Sequence, residues 1–438
     1  MKFVDFSPPP MPTLEQQRDA LQKGLGRARL WAERGCLDHD VLINACLRDL
    51  RYDRQCEGCR GEWLWGLVTA AGVIEKFEAP LLQALRSLSP ENDQAARQLC
   101  ELAFHYAKRG RQEFRDVLYS IVATTPLPDN RSIGESQLLA LDGEAAFRLI
   151  AFTRGRYLET NAADWDDAHV VTEAMEICGE ERILEIMATF SDPDRLRFAE
   201  IYHCEKKAEE EQKDRPRLND TQVKSVADVV AAAREEPRGH WLITWGQSAS
   251  EDDLNQVWEV IRVASEPKVL AHLLKVFRRR ALPQFDERLI ELCEHSDGDV
   301  RERAFIALGQ NTDSRIRLFA VEEITGPDRN IHAVPLLQRN FQAGDEQLLC
   351  DFVETPDDAE ERHSLLMDIR NILQENMESR VEELAQVIYF HTPCAICRDA
   401  AIELLEEDGT LPGWMAEEAI HDSQDSYRKR RCEQTKAE

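Results

Sequence analysis

The sequence predicts an all-α chain built as a superhelical solenoid of stacked antiparallel helix pairs. A local pattern, apolar-Arg-x-x-Ala-x-x-x-Leu/Ile, occurs three times in the C-terminal half: Val300-Arg301 with Ala304 and Leu308, Ile316-Arg317 with Ala320 and Ile324, and Cys397-Arg398 with Ala401 and Leu405. No stretch alternates with period two for long enough to read as a strand. At 438 residues the chain exceeds one ordinary globular core, so it must split into domains or extend as a repeat array. Similar helices that cannot bury their own apolar faces need neighbours, which favours the array.

Taken in order, the Pro-rich start gives way to Thr13-Leu14-Glu15-Gln16, a capping box opening a helix expected to run from 14 to about 35. Further helices are expected over about 38–50, 60–72, 74–88, 91–109, 111–125, 135–158, 167–190 and 193–212. Their connections are short and carry Gly, Pro, Asp or Asn, as at Arg109-Gly110-Arg111. Ser89-Pro90, Asp192-Pro193, Thr355-Pro356 and Thr392-Pro393 read as an N-cap followed by a first-turn proline. The segment 205–220 is rich in Lys and Glu with almost nothing apolar to bury, and 213–220 is the candidate hinge between an N-terminal helical region, 1–212, and a C-terminal repeat region, 221–438. A charged helical extension is the other reading of that segment.

Beyond it, helices are expected near 221–236, 251–264 and 267–280. Phe285, Leu289, Ile290 and Cys293 share one face of a first helix, 296–299 make a turn, and Val300, Ala304, Ala307 and Leu308 line the second helix at core-facing spacing. A later pair repeats this design: Val381, Leu384, Ala385 and Ile388, a turn at His391-Thr392-Pro393, then Cys397, Ala401 and Leu405.

At Asp297-Gly298-Asp299-Val300-Arg301-Glu302-Arg303-Ala304 and at Ala333-Val334-Pro335-Leu336-Leu337 the chain resembles the HEAT-repeat family, over about 266–410. The resemblance implies a curved α-solenoid presenting a surface to partners, with degenerate repeats in the first half. One departure is spacing. The Ile316 match follows the Val300 match after 16 residues, whereas equivalent helices of successive repeats would lie about 40–47 apart, so one of the two belongs to a first helix.

Composition narrows the function classes. A formal charge of −28, from 82 acidic against 54 basic residues, repels a phosphate backbone and disfavours nucleic acid as a partner. The basic runs Arg278-Arg279-Arg280 and Arg428-Lys429-Arg430-Arg431 lack interleaved aromatic residues and read as solvated helix ends. No segment is long and apolar enough to span a bilayer, and the start lacks the apolar core of a signal peptide, so a soluble, cytoplasmic protein is expected. Twelve cysteines scattered through helical segments fit free buried thiols.

Two Cys-x-x-Cys pairs carry the spacing that binds zinc or exchanges disulfides. Aligning Arg398 with Arg301 places Cys397 where Val300 sits, so Cys394 and Cys397 are read as small core hydrophobes. Cys56 and Cys59 lie in a turn-like segment beside Arg51, Arg54 and Arg60, and are retained as the thiol or metal candidate, although no nearby His/Cys pair would complete a zinc site. Otherwise no metal ligands and no cofactor are expected.

The irons of HEAT-repeat deoxyhypusine hydroxylases need His-Glu pairs, and no histidine here precedes glutamate. HEAT-like alkylpurine DNA glycosylases use a basic face with Trp and Asp. The clusters Trp63/Trp65 and Trp241/Trp245 are the possible counterparts, and core or interface packing explains them more simply. No residue signature of the phycobilin lyases, and no nucleotide-binding, hydrolase or zincin motif, is present. The expectation is therefore a non-catalytic scaffold or adaptor binding a protein partner along a concave repeat surface. A glycosylase-type enzyme and a thiol or metal sensor are the alternatives.

Overall fold

The computed structural model describes residues 6–54, 57–58, 60–89, 95–124, 133–161, 169–213, 224–235, 239–327, 329–353, 358–376 and 382–437. Among the described residues every regular element is a helix, so the chain is all-α. Thr13 and Gln16 form the reciprocal capping box at the first helix, Leu14–Lys23.

Three expected helices prove to be pairs, each broken at a glycine. The stretch 14–35 divides into Leu14–Lys23 and Arg27–Glu33, the stretch 135–158 into Glu135–Asp142 and Glu144–Tyr157, and the stretch 167–190 into His169–Cys178 and Glu180–Ala188. Gly24 at φ 76° and Gly179 at φ 93° adopt the positive φ that L-residues avoid and that ends a helix. Both halves of each pair carry buried apolar residues, so apolar periodicity runs across these breaks.

The chain forms two compact units, Met1–Phe6 with Asn219–Pro412, and Ser7–Leu218 with Gly413–Glu438. The C-terminal segment is thus grouped differently from the expected 221–438 region. Its helix Gly413–Ala419 brings Glu418, itself fully buried, to the N-terminal helix Arg27–Glu33. There Arg27 Nε and Nη2 each donate to a Glu418 oxygen at 2.8 Å, and a Cβ on Gly26 would lie 1.9 Å from the Glu418 carbonyl oxygen. Trp63 Nε1 also donates to the His421 carbonyl at 2.8 Å.

Elsewhere in this unit most helices pack against their next or next-but-one neighbours. Ala96–Lys108, for example, packs against Gly61–Ala70, Ile74–Arg86, Gln112–Thr124 and Glu135–Asp142. Trp31, Phe77, Tyr106, Phe114, Phe147 and Phe198 are its largest buried rings. The Tyr106 hydroxyl donates to the Ile74 carbonyl at 2.6 Å, which satisfies the polar end of a ring otherwise taken from water.

In the unit containing Asn219–Pro412, six helices form a row in which each contacts the next: Val226–Glu235, Pro267–Leu274, Gly298–Leu308, the 3-10 helix Ile331–Leu337, Ala359–Glu375 and Ala395–Glu407. From Pro267 onward their starts are 31, 33, 28 and 36 residues apart, shorter than the expected 40–47. A second set pairs with them: Arg288–Cys293, Ser314–Thr325, Asp345–Val353 and Glu382–His391. The Val300 and Cys397 matches lie on the row, while the Ile316 match lies on Ser314–Thr325, which explains the 16-residue offset.

Asparagines link successive helices of the row. Asn311 donates to the Ala307 carbonyl and accepts from the Leu282 N–H. Asn340 donates to the carbonyls of Leu336 and Asn311 and accepts from the Asp313 N–H. Asn376 donates to the carbonyls of Ile372 and Gln338. Each therefore satisfies a helix-terminal carbonyl of its own helix and backbone of the preceding repeat.

All nine apolar positions of the three sequence matches, Val300, Ala304, Leu308, Ile316, Ala320, Ile324, Cys397, Ala401 and Leu405, are buried. Arg301 donates to the carbonyls of His295 and Ser296 in its own turn, Arg317 pairs with Asp345 at 2.6 Å, and Arg398 is wholly buried.

Candidate functional site

Two adjoining cavities open on the row, and they share Glu302 and Ile306. One, of about 300 Å³, is lined by His240, Ile243, Leu274, Lys275, Arg278 and Arg303. The other, of about 450 Å³, is lined by Phe305, Ile331, His332, Pro335 and a stripe of Ala359–Glu375 formed by Glu360, Glu361, Ser364, Leu365, Met367 and Asp368. That spacing is one side of a helix, and Glu302, Phe305 and Ile306 make the corresponding stripe on Gly298–Leu308.

The face is electrically polarised, cationic at Lys275, Arg278 and Arg303 and acidic at Glu360 and Glu361, with Asp368 beside them. Burial, reinforced by the Arg303 charge, holds Lys275 below the usual ammonium range. Asp368 retains some exposure to its cavity, yet burial of its carboxyl pushes it up to about 7. The sequence read Arg278 as part of a solvated helix end and gave the other groups no role, because they flank the core stripe of their helices. The Glu302, Phe305, Ile306 spacing beside Val300, Ala304 and Leu308 was the available signal.

Ala359–Glu375 also meets Ala395–Glu407, and a second site forms there. His363, Cys394 and Cys397 place one ligand-capable atom each within 4.8 Å of one another, and His363 Nε2 lies 3.2 Å from Cys397 Sγ. The reading of Cys394 and Cys397 as small core hydrophobes did not include this histidine. Both are buried, as a core position requires, but a histidine from the adjacent helix faces them.

The helix also starts later than Thr392-Pro393 suggests. It opens at Ala395, and Cys394 is its N-cap in extended conformation. A hydrogen bond from the Cys397 thiol holds Cys394 down at about 5 against the opposing effect of burial, aided by the N–H groups of Cys397 and Ile396 and by His363. Cys397 is driven the other way by its bond to Cys394 and by burial.

The retained candidates Cys56 and Cys59 lie outside the described residues. Close to them in sequence, Arg60 pairs with Glu57 at 2.9 Å and Arg51 with Asp49 at 2.6 Å, so these arginines already have carboxylate partners. Trp65 stacks on His105 at 4.9 Å, and Trp245 Nε1 donates to the Lys224 carbonyl, whose ammonium sits 3.8 Å from the Trp241 ring centre. Arg428 and Lys429 both pair with Asp425. A polar cavity of about 500 Å³ where 421–428 meets Gly61–Ala70 is lined by Arg29, Glu57, Glu62, Trp63, His421, Asp425 and Arg428.

No described helix is long and apolar enough to cross a membrane. No family model, no curated protein and no solved structure matches this chain.

Proposed function

We propose that the chain is a HEAT-like α-solenoid acting as a non-catalytic scaffold or adaptor, which binds a segment of a protein partner along the row of helices in Asn219–Pro412. Sequential contacts along that row, its paired second helices and the asparagine links support the solenoid reading. The observation that carries the binding reading is the pair of adjoining cavities with opposite charge at their far ends. A partner segment with an acidic group over Lys275, Arg278 and Arg303, an apolar centre against Ile306 and Phe305, and a basic group beside Glu360 and Glu361 matches this face in sign and polarity. Anionic side chains there would relieve the mutual repulsion of Lys275 and Arg303. Charge complementarity would set orientation and on-rate more than total affinity.

The test compares quantitative affinity purification of the wild-type chain with Arg278→Glu and Glu361→Lys, both exposed positions whose reversal leaves the core intact. A partner whose recovery falls at least about tenfold with each variant, at unchanged thermal stability, supports the reading, since about 1.4 kcal/mol is a factor of ten. Recovery of every copurifying protein at wild-type levels with both variants would remove it.

A further inference from the structure

We infer that His363, Cys394 and Cys397 form a binding site for a thiophilic divalent ion, Zn²⁺ by its ligand preference, with two thiolates and one imidazole on the metal and a fourth position left for water or an added ligand. Sequence places the two cysteines one helical turn apart at a helix start, and packing of Ala359–Glu375 on Ala395–Glu407 supplies the histidine. A tetrahedral zinc ion with bonds of about 2.3 Å to sulfur and 2.0–2.1 Å to nitrogen separates its ligand atoms by about 3.5–3.8 Å. The three atoms here already fall within 4.8 Å of one another, one pair at 3.2 Å, so a small outward adjustment admits the ion.

Polar groups lie around both sulfurs. The N–H groups of Ile396 and Cys397 point to Cys394, and the Thr392 hydroxyl and the Arg370 charge act on Cys397. Such outer contacts orient ligands and stabilise their charged form. Two thiolates and a neutral imidazole neutralise the ion, so a site this deeply buried gains no net charge. The bound ion would clip the last two helices of the row together, and because it binds only the folded arrangement it would raise the unfolding temperature.

The experiment uses the full-length chain, reduced and stripped with chelator, then titrated with Co²⁺ and afterwards Zn²⁺. One equivalent of Co²⁺ should give thiolate charge-transfer absorption and tetrahedral ligand-field bands, both abolished by one equivalent of Zn²⁺. Cys394→Ser, Cys397→Ser and His363→Gln should each weaken binding by more than about 100-fold, the upper range for losing an outer-shell partner. Circular dichroism verifies that each variant is folded, and the double variant Cys56→Ser/Cys59→Ser should bind as the wild type does. The proposal is overturned if the reduced wild-type chain gives no such spectrum or if the spectrum depends on Cys56 and Cys59 instead. Recovery of Cys394 and Cys397 as a disulfide in glutathione buffer, without metal uptake, would also overturn it and assign a redox pair.

Discussion

The two units join distant parts of their sequence by different chemistry. In the unit of Ser7–Leu218 with Gly413–Glu438, buried ion pairs do so: Arg27 with Glu418 across 391 positions, and Arg154 with Glu135 on neighbouring helices. In the unit containing Asn219–Pro412, neutral amides recur from repeat to repeat at Asn311, Asn340 and Asn376, beside the ion pair of Arg317 with Asp345, while Gln98 is the comparable buried amide of the first unit. An ion pair removed from water stabilises only while both partners are present, because the survivor is an uncompensated buried charge. An amide bonded to backbone carries no charge to strand, so an amide link tolerates change better than a buried ion pair, even in a unit that also buries Asp345 and Arg398. The polarised face lies in the amide-linked unit.

The largest effect should come from Glu418→Ala, which removes the carboxylate that pairs with buried Arg27. Its unit should lose about 3–5 kcal/mol in chemical denaturation. Arg27→Met combined with Glu418→Leu should recover most of that loss, and a loss below about 1 kcal/mol for the single variant would dissolve the contrast. Next comes Asp368, the acid of the amide-linked unit that burial pushes up to about 7. Its folded-state value lies above its unfolded one, so the folded state binds the proton more tightly, and its contribution is fully present below about 4 and lost as pH rises toward 7. Asp368→Asn should therefore match the wild type near pH 4 and exceed it at pH 7 by at most about 4 kcal/mol, less where cavity water screens the charge. A denaturation series across pH reads this directly, and a gap that is constant with pH would contradict it.

Smaller again is Asn340→Leu, which leaves the Asp313 N–H and two carbonyls without this partner. A loss of about 2–3 kcal/mol is expected in the same assay. Smallest is Arg182→Ala, where a fully solvated arginine bridges Glu144 and Glu185, and the denaturation midpoint should not move. A measurable drop there would show that surface pairs, too, hold the charged unit together.

Helical class and the buried repeat positions were legible because side chains at i, i+3 and i+4 declare a face locally. Helix ends were less so. Apolar periodicity carried straight through Gly24, Gly143 and Gly179, where backbone conformation rather than side-chain pattern made the break. The core assignment of Cys397 was correct about burial and silent about chemistry, since His363 stands 34 positions away and reaches it only through helix packing. Thr392-Pro393 also concealed that Cys394 is the cap. The return of Gly413–Ala419 to Arg27–Glu33 has no local signal at all, because a glutamate that closes a unit reads like one on a solvated helix. Charges on the paired cavities were visible as residues, but their convergence on one face required three successive helices to be placed.

Binding of a partner segment along that face is the central claim, and site-specific photocrosslinking tests it most directly. A photoreactive residue at Ile306, which lines both cavities, is compared with one at Leu318, exposed on the second-row helix Ser314–Thr325. Crosslinking of one stoichiometric partner from position 306, suppressed by Arg278→Glu and absent from position 318, is the predicted result. Capture of that partner from position 318 and not from 306 would contradict the account and move the binding surface to the other row.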